Sequence, residues 1–239
     1  MQSPPEALLA PAEFVDKLRR EGASRYHDEH PFHLRMHEGA LDAPALRCWV
    51  LNRYYYQTRI PIKDALIVAK SEDPAFRRAW IRRIHDHDGD GGENIGGLAQ
   101  WLRLAKAVGL DADGVASCRD VLPGVRFACD AYVTLVDKSP LVVAVASSLT
   151  EFFAPDLMSR RIAAWERHYG WVDADALGYF RGRVQRARRD SEEAIAFVVR
   201  EARTRHLQEA CVRALIGKTE ILWHLLDCVQ AHVDAGRAR

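Results

Sequence analysis

The chain has 239 residues, 48% of them hydrophobic, and its 34 Lys and Arg residues nearly balance 33 Asp and Glu residues, which leaves a formal net charge of +1. This length is typical of one domain with a large core, so we expect a single domain over residues 1–239. A near-neutral chain has no global field that would attract nucleic acid or an anionic membrane, and neither is expected as a partner.

The predicted compartment is the cytoplasm. Residues 1–14 lack a basic flank followed by an apolar run, and no stretch approaches the eighteen or so apolar residues that span a bilayer. The five cysteines are odd in number and widely spaced without a CxxC motif. This pattern argues against both a disulfide framework and a thiolate zinc site, and favours isolated reduced thiols.

The predicted elements are all helices, since alternating apolar runs that would indicate strands are nearly absent. Asp42 is a capping residue before Ala43 and Pro44, and it begins a predicted helix that runs to about Ser71 and is kinked at Pro61. Further helices are predicted over residues 74–87, 97–108, 123–136, 140–169, 173–204 and 205–234. The sequence therefore predicts an all-α bundle of about seven helices.

Three of these helices carry polar pairs four residues apart, a spacing that places both side chains on one helical face. The pairs are Arg53 with Gln57, Arg83 with His87, and Tyr179 with Arg183. Lys63 follows Arg53 by ten residues, close to three helical turns, although Pro61 lies between them. Each pair is compatible with a solvated face or with a shared site, and periodicity does not decide between the two.

Two charged residues lie in apolar surroundings. Lys218 has apolar neighbours on both sides in the segment ALIGKTEILWHLL, and a buried ammonium needs an anionic partner. Glu151, beside Thr150, lies between a Val/Ala-rich run and an aromatic run, so its carboxylate is either paired or has a perturbed pKa. One alternative is a glutamate at the edge of the core that pairs with an arginine such as Arg161, and the other is a site residue.

Residues 86–91 have the opening pattern of a calcium-binding loop, with carboxylates at alternate positions and a glycine at the sixth. The twelfth position is Gly97, so the bidentate glutamate of such a loop is missing. His85 and His87 are two residues apart, and side chains at that spacing point in different directions on a helix. No metal site is predicted here.

Eight short motifs follow one another between about residues 10 and 232. They are YH at 26–27 with HPFH at 30–33, NRYYYQ at 52–57 with IPIKD at 60–64, DHDG at 86–89, LPGVRF at 122–127 with DAY at 130–132, SLTE at 148–151, YF at 179–180, RRD at 188–190, and Lys218 with ILW at 221–223. In this order they resemble the pyrroloquinoline-quinone synthase family. No single motif is decisive, whereas eight in order over nearly the whole chain are specific.

The resemblance implies both a fold and a reaction. The fold would be a haem-oxygenase-like helical bundle that binds no haem and is usually a homodimer. The reaction would be ring closure and eight-electron oxidation of a bicyclic, carboxylate-rich precursor derived from amino acids, with O2 as co-substrate and hydrogen peroxide released. Neither a metal nor an organic cofactor would be required.

The resemblance also implies which residues form the site. The substrate-binding residues would be Tyr26, His27, Arg53, Gln57, Lys63, Arg83, Tyr132, Thr150, Glu151 and Arg161. The catalytic residues would be His87, Tyr179 and Arg183, for oxygen and proton transfer, together with Lys218, which would also belong to the substrate pocket. A substrate with several carboxylates needs several fixed cations, and an imidazole can move protons near neutral pH.

Two positions depart from the family pattern. Met158 stands where some members have a histidine in contact with the oxygen-binding group, and a thioether can neither donate a hydrogen bond nor carry a proton. Glu220 stands where aspartate is usual, which keeps the charge on a longer arm. The methionine leaves open a non-catalytic binding protein that has kept the pocket and lost turnover, and a paralogue with a related oxidase role is a further alternative.

Two other enzyme classes share this type of bundle. A di-metal carboxylate oxygenase needs Glu-x-x-His ligand motifs, and the sequence contains none. A hydrolase related to thiaminase and TenA would need a cysteine nucleophile, for which Cys129 is the nearest candidate, without an evident base in sequence.

Overall fold

Every regular element of the described chain is a helix. The computed structural model describes residues 7–237, within which there are twelve α-helices, three 3₁₀ helices and no strand. The α-helices are α1 Pro11–Ala23, α2 Pro31–His37, α3 Ala43–Ala69, α4 Pro74–Trp80, α5 Arg82–Asp88, α6 Gly96–Ala107, α7 Ala112–Ala116, α8 Pro123–Lys138, α9 Leu141–Ala146, α10 Ala154–His168, α11 Gly178–Glu201 and α12 Arg205–Arg237. The 3₁₀ helices are His27–Glu29, Ser147–Phe152 and Ala174–Leu177. The all-α prediction is confirmed.

The predicted number of about seven helices is wrong for these residues. Seven of the α-helices have twelve residues or more, and five shorter ones account for the difference. The helix predicted over 74–87 is broken at Ile81, and the one predicted over 140–169 is interrupted by the 3₁₀ helix Ser147–Phe152. Such local breaks leave the apolar periodicity nearly unchanged, so the pattern does not reveal them. No helix is predicted where α1, α2 and α7 lie.

Helix α3 is the central element of the bundle. It begins after Asp42, whose carboxylate accepts a hydrogen bond of 2.9 Å from the Ala45 N–H. Fifteen of its 27 residues are buried, and these include Arg53, Gln57 and Lys63. Buried polar groups cost free energy unless they are hydrogen-bonded or paired, so their concentration on one helix indicates an internal site.

The other long helices surround α3. It packs against α5, α6 and α8, while α12 packs against α1, α8 and α9, and α10 packs against α11. A cluster of aromatic rings joins α3, α6, α10 and α11: the centroid of the Trp49 ring lies 5.5 Å from that of Trp101, 6.1 Å from that of Trp165 and 6.4 Å from that of Phe180. These rings are rigid and buried, so they fix the spacing of the four helices.

One stretch is apolar enough to cross a membrane by length and composition, contrary to the sequence prediction. It is Leu141–His168, with a mean hydropathy of 1.4 over its most apolar window. Of that window, 72% is buried inside the protein, and the stretch is divided between α9, a 3₁₀ helix and α10. Such burial is typical of a core segment in a soluble-type fold.

Candidate active site

One cavity lies at the centre of the bundle, between α3, α10, α11 and the 3₁₀ helices that precede α2 and α10. The space between its lining atoms, open solvent included, is about 530 Å³. Its lining residues are Tyr26, His27, Arg53, Tyr56, Gln57, Ile60, His87, Trp101, Thr150, Glu151, Ala154, Met158, Arg161, Tyr179, Arg183 and Leu222. Most of these side chains are polar or charged, which is unusual for the centre of a helical bundle.

Ten of the fourteen site residues named from the sequence line this cavity. They are Tyr26, His27, Arg53, Gln57, His87, Thr150, Glu151, Arg161, Tyr179 and Arg183. The other four, Lys63, Arg83, Tyr132 and Lys218, lie in a layer behind the lining. Thus Lys218 Nζ is 4.1 Å from the ring centroid of Tyr56, and the Arg83 carbonyl oxygen is 3.1 Å from His87 Nδ1.

Three cations at this site have no carboxylate partner in the part of the chain that the structure describes. Arg53, Arg161 and Lys218 are 8%, 2% and 1% exposed, and Arg53 Nη1, Arg161 Nε and Lys218 Nζ have no hydrogen-bond partner within residues 7–237. Aromatic faces hold them instead: Arg53 Cζ lies 4.0 Å from the centroid of Tyr56, and Lys218 Nζ lies 3.6 Å from that of Tyr132.

Burial and mutual repulsion lower the pKa values of two of these cations. Burial, followed by the charge of Arg53, lowers the pKa of Lys218 well below its usual value. The same two causes lower the pKa of Arg161, although a guanidinium stays protonated at neutral pH. Because an anion between the cations removes this repulsion, its binding would favour the charged form of Lys218.

The remaining cations are paired. Arg183 forms an ion pair with Glu151 through Nη2, and its Nη1 lies 3.4 Å from Asp190 Oδ2. Lys63 Nζ lies 2.5 Å from Asp64 Oδ1. Although burial opposes it, the charge of Asp64 raises the pKa of Lys63, and the charge of Glu151 raises that of Arg183.

Asp190 joins three arginines of the site, Arg83, Arg183 and Arg189. Arg83 Nη2 donates a hydrogen bond of 2.5 Å to the Asp190 carbonyl, and Arg83 Nε lies 4.0 Å from its carboxylate. Arg189 Nη2 lies 2.8 Å from the same carboxylate. Burial disfavours the charge of Asp190, but Arg83, Arg183 and Arg189 together lower its pKa. In all, six buried basic side chains at the site face three carboxylates, and among the described residues Arg53, Arg161 and Lys218 are the three without a carboxylate partner.

The neutral polar groups at the cavity have defined hydrogen-bonding roles. The Tyr179 hydroxyl donates a bond of 2.7 Å to Gln57 Oε1. His87 Nδ1 lies 3.1 Å from the Arg83 carbonyl, which can only accept, so Nδ1 carries the proton and Nε2 keeps its lone pair. Burial, then Arg183, lowers the pKa of His87 to about 3, and burial raises that of Tyr179. Both side chains are therefore uncharged at neutral pH.

Two glycines bring these groups together. Gly96 has φ of 79°, and a Cβ on it would lie 2.5 Å from the His87 carbonyl oxygen. A Cβ on Gly97 would lie 3.0 Å from the Tyr179 ring. Glycine therefore allows the start of α6 to approach both α5 and the first turn of α11.

Comparison with known proteins identifies the family. Residues 15–228 match the TENA/THI-4/PQQC family. The chain belongs to this family. Similar members include the pyrroloquinoline-quinone synthases of Rhizobium meliloti, 52% identical over 94% of this chain and 88% of the relative, and of Gluconobacter oxydans, 44% identical over 96% of this chain and 98% of the relative.

Solved structures support the same fold. A Shewanella denitrificans domain of unknown function with a heme oxygenase-like fold superposes with a TM-score of 0.76 at 14% identity, covering 97% of this chain and 96% of that one. A TenA homolog from Pseudomonas syringae superposes with a TM-score of 0.73 at 13% identity, covering 96% of this chain and 99% of that one. The TENA/THI-4/PQQC chain thus has the predicted heme oxygenase-like fold.

Sequence reasoning missed several lining residues of this TENA/THI-4/PQQC site. They are Tyr56, Ile60, Trp101, Ala154 and Leu222. Tyr56 could have been found, because it lies three residues after Arg53 in the NRYYYQ motif and so shares its helical face. The others are apolar, and an apolar residue at helical spacing cannot be told from the rest of the core.

Because several of its histidines are buried, we expect this TENA/THI-4/PQQC protein to be destabilised by acid. Burial, with help from nearby arginines, lowers the pKa values of His27, His33 and His87. Above pH 6.5 these imidazoles bind no proton in either the folded or the unfolded state. Below pH 6.5 only the unfolded chain binds protons at them, so proton binding stabilises the unfolded state as the pH falls, until the folded-state pKa is reached. Near pH 5.5 the free energy of unfolding should fall by about 4 kcal/mol per pH unit for three histidines.

Urea unfolding at pH 7.5, 6.5 and 5.5 measures this dependence. A free energy of unfolding that is constant from pH 7.5 to 5.5 would contradict the neutral state of the three imidazoles in the fold.

Proposed function

We propose that the protein catalyses the pyrroloquinoline-quinone synthase reaction. In it, a bicyclic precursor with several carboxylates is closed to a third ring and loses eight electrons, and O2 accepts electrons and protons to give hydrogen peroxide. Relatives that carry this name are 44–52% identical over nearly the whole chain. The observation that carries the proposal is the group of uncompensated buried cations at one cavity.

The substrate class follows from the charge of the cavity. Arg53 lines the cavity, and Arg161 lines it from α10, so a ligand within it meets two guanidiniums that no carboxylate of the described residues neutralises. A guanidinium binds a carboxylate through parallel hydrogen bonds, and the buried setting strengthens the attraction. A neutral ligand would leave these charges unsatisfied, whereas a polycarboxylate would satisfy them.

His87 is the proposed proton acceptor. Its Nδ1–H is held by the Arg83 carbonyl, so Nε2 is the nitrogen that can take a proton from the substrate. Its low pKa makes it a weak base before the ligand binds. The negative charge of a bound polycarboxylate raises that pKa, which brings the imidazole into the range suited to proton transfer.

Tyr179 and Arg183 are the proposed oxygen-side groups. They lie one helical turn apart on α11 and both line the cavity. In the ligand-free protein the Tyr179 hydroxyl donates to Gln57 and Arg183 is paired with Glu151 and Asp190, so their role requires that oxygen species take over these contacts. Electron transfer from the deprotonated substrate makes reduced, anionic oxygen species, which a fixed cation and a fixed donor stabilise as charge develops. The electrons come from the substrate, and the proposal includes no haem, metal or organic cofactor.

A hydrolase role is less well supported. Cys129 is fully buried and is not among the cavity-lining residues, and burial raises the pKa of its thiol to about 12. A thiol in this state is a poor nucleophile.

A binding protein without turnover is the remaining alternative. Met158 lines the cavity and supplies neither a hydrogen-bond donor nor a proton carrier.

The proposal also includes a cytoplasmic homodimer. The exposed Phe127, with 77% of its surface accessible, is compatible with a subunit contact.

Oxygen consumption tests the reaction. The protein is mixed with the bicyclic precursor without oxygen, O2 is then admitted, and absorbance and an oxygen electrode follow the reaction. We expect O2 uptake and hydrogen peroxide only when the precursor is present, at a rate that chelators do not change. Tight binding of the precursor without O2 uptake would instead favour the binding protein.

A matched pair of variants makes the test specific. Arg161→Met removes a buried cation of the cavity, whereas Arg160→Met removes the neighbouring guanidinium, which is exposed and pairs with Asp28. Uptake of O2 should fall at least tenfold only in Arg161→Met at a fixed low precursor concentration. Equal rates in the two variants would contradict the role of the cavity in binding.

A further inference from the structure

His33 is a buried side chain next to the cavity. Neither the names of the relatives nor the sequence motifs assign a role to this side chain. It lies on α2, is 1% exposed, and is not among the residues that line the cavity. Its two ring nitrogens contact two groups of the site. Nδ1 lies 2.9 Å from the His27 carbonyl oxygen, and Nε2 lies 3.1 Å from Arg161 Nη2.

These two contacts fix the protonation state of the ring. A carbonyl oxygen can only accept a hydrogen bond, so His33 Nδ1 must carry a proton. A guanidinium can only donate, so Nε2 must be the unprotonated acceptor. The ring is therefore neutral in the Nδ1–H tautomer. Burial, then the charge of Arg161, lowers the pKa of His33 well below its usual value, which agrees with this state.

The neutral acceptor distinguishes Arg161 from Arg183. Arg183 is held by the carboxylates of Glu151 and Asp190, which offset its charge. Arg161 is held by an imidazole lone pair and by two aromatic faces, with its Cζ 5.0 Å from the Trp49 centroid and 5.5 Å from that of Phe180. None of these groups carries a negative charge, so Arg161 is oriented without being neutralised.

We propose that His33 is a positioning residue that aims the Arg161 guanidinium into the cavity and leaves its full positive charge for an anionic ligand. The inference rests on the proposed function only in the choice of that ligand as an aromatic polycarboxylate. A carboxylate at this position would hold Arg161 equally well, but it would cancel the charge that the ligand needs. The neutral acceptor is therefore the feature that matters.

Three substitutions separate orientation from charge. His33→Leu removes the acceptor. His33→Gln can place Oε1 near the position of Nε2 and restore a neutral acceptor. His33→Glu has the same shape as His33→Gln but adds a negative charge. The glutamine and glutamate variants both lose the imidazole bond to the His27 carbonyl and differ in charge and in the amide N–H donor of glutamine.

The readouts are KM and kcat for the precursor, and the Kd of pyrroloquinoline quinone and of pyridine-2,6-dicarboxylate. We expect KM and Kd to rise roughly tenfold in His33→Leu and by less than threefold in His33→Gln, and kcat to stay within threefold in both. In His33→Glu, KM and Kd should be at least tenfold higher than in His33→Gln. The melting temperatures of these two variants should differ by no more than a few degrees. Equal Kd values for the glutamine and glutamate variants would overturn the proposal.

Two controls separate this inference from the proposed function. If the unmodified protein binds the dicarboxylate but consumes no O2, the oxidase proposal fails while the Kd series still tests His33. Nitrogen-15 NMR of the imidazoles in the ligand-free protein gives a further readout, for which we expect the neutral Nδ1–H tautomer of His33 at pH 6. An imidazolium or the Nε2–H tautomer there would overturn the inference without any ligand, even if the leucine variant does not fold.

Discussion

Arg53→Met should weaken binding of pyrroloquinoline quinone about 100-fold without weakening the fold. Arg53 lines the cavity and, in the part of the chain that the structure describes, has no carboxylate partner and an unpartnered Nη1, so its charge is available to the ligand. Loss of one partner of a buried charge pair costs a complex about 3 kcal/mol, which corresponds to about 100-fold in Kd. Equilibrium titration followed by absorbance measures the loss.

The same substitution should leave the melting temperature unchanged or raise it. The charge of Arg53 lowers the pKa values of Lys218 and Arg161, which means that it repels both cations in the ligand-free protein. Methionine keeps much of the side-chain volume and removes this repulsion. The binding site is therefore predicted to cost stability until an anion fills it.

Arg59→Met is the matched control for Arg53→Met. Arg59 is on the same helix and also lies over a tyrosine, with its Cζ 4.1 Å from the Tyr55 centroid, but it pairs with the exposed Asp130 and does not line the cavity. Its replacement should change Kd by less than threefold. A comparable loss of affinity in both variants would mean that the arginines act through the general charge of the protein rather than through contact with the ligand.

Asp190→Asn should have the largest effect on stability. The carboxylate is buried and offsets the charges of Arg83, Arg183 and Arg189. Its neutralisation leaves the buried Arg83 without a counter-ion among the described residues, and leaves Arg183 with Glu151 and Arg189 with Asp86. Removal of one partner from a buried ionic group costs about 3–5 kcal/mol. We expect this decrease in the free energy of unfolding by urea at pH 7, together with a lower kcat because Arg183 loses a contact.

Asp130→Asn provides the comparison at the surface. The Asp130 carboxylate is 54% exposed and lies 3.5 Å from Arg59 Nε. An exposed ion pair contributes less than about 1 kcal/mol, so this variant should unfold nearly as the original protein does. If Asp190→Asn lost no more stability than Asp130→Asn, the buried network would not be held by its charges.

The predicted site depended on two kinds of sequence signal. Helical spacing paired Tyr179 with Arg183 and Arg53 with Gln57, and the structure places all four side chains at one cavity. The resemblance supplied residues that spacing could not connect, such as Tyr26 and Glu151, which lie far apart in sequence. His33 lies in the HPFH motif, yet its proposed role depends on a contact with Arg161 on another helix, 128 positions away. No local pattern encodes such a contact.

The sequence by itself determined the helical class, the family and the near-neutral charge, because these depend on local periodicity, on motif order and on composition. The tertiary structure alone decided where the short helices break, which cations are paired, and which keep their charge. Glu151 pairs with Arg183, and Asp190 with Arg83, because of how distant helices pack, and among the described residues the same packing leaves Arg53, Arg161 and Lys218 without a carboxylate. Charge compensation depends on distances of a few ångströms between helices, and composition does not contain that information.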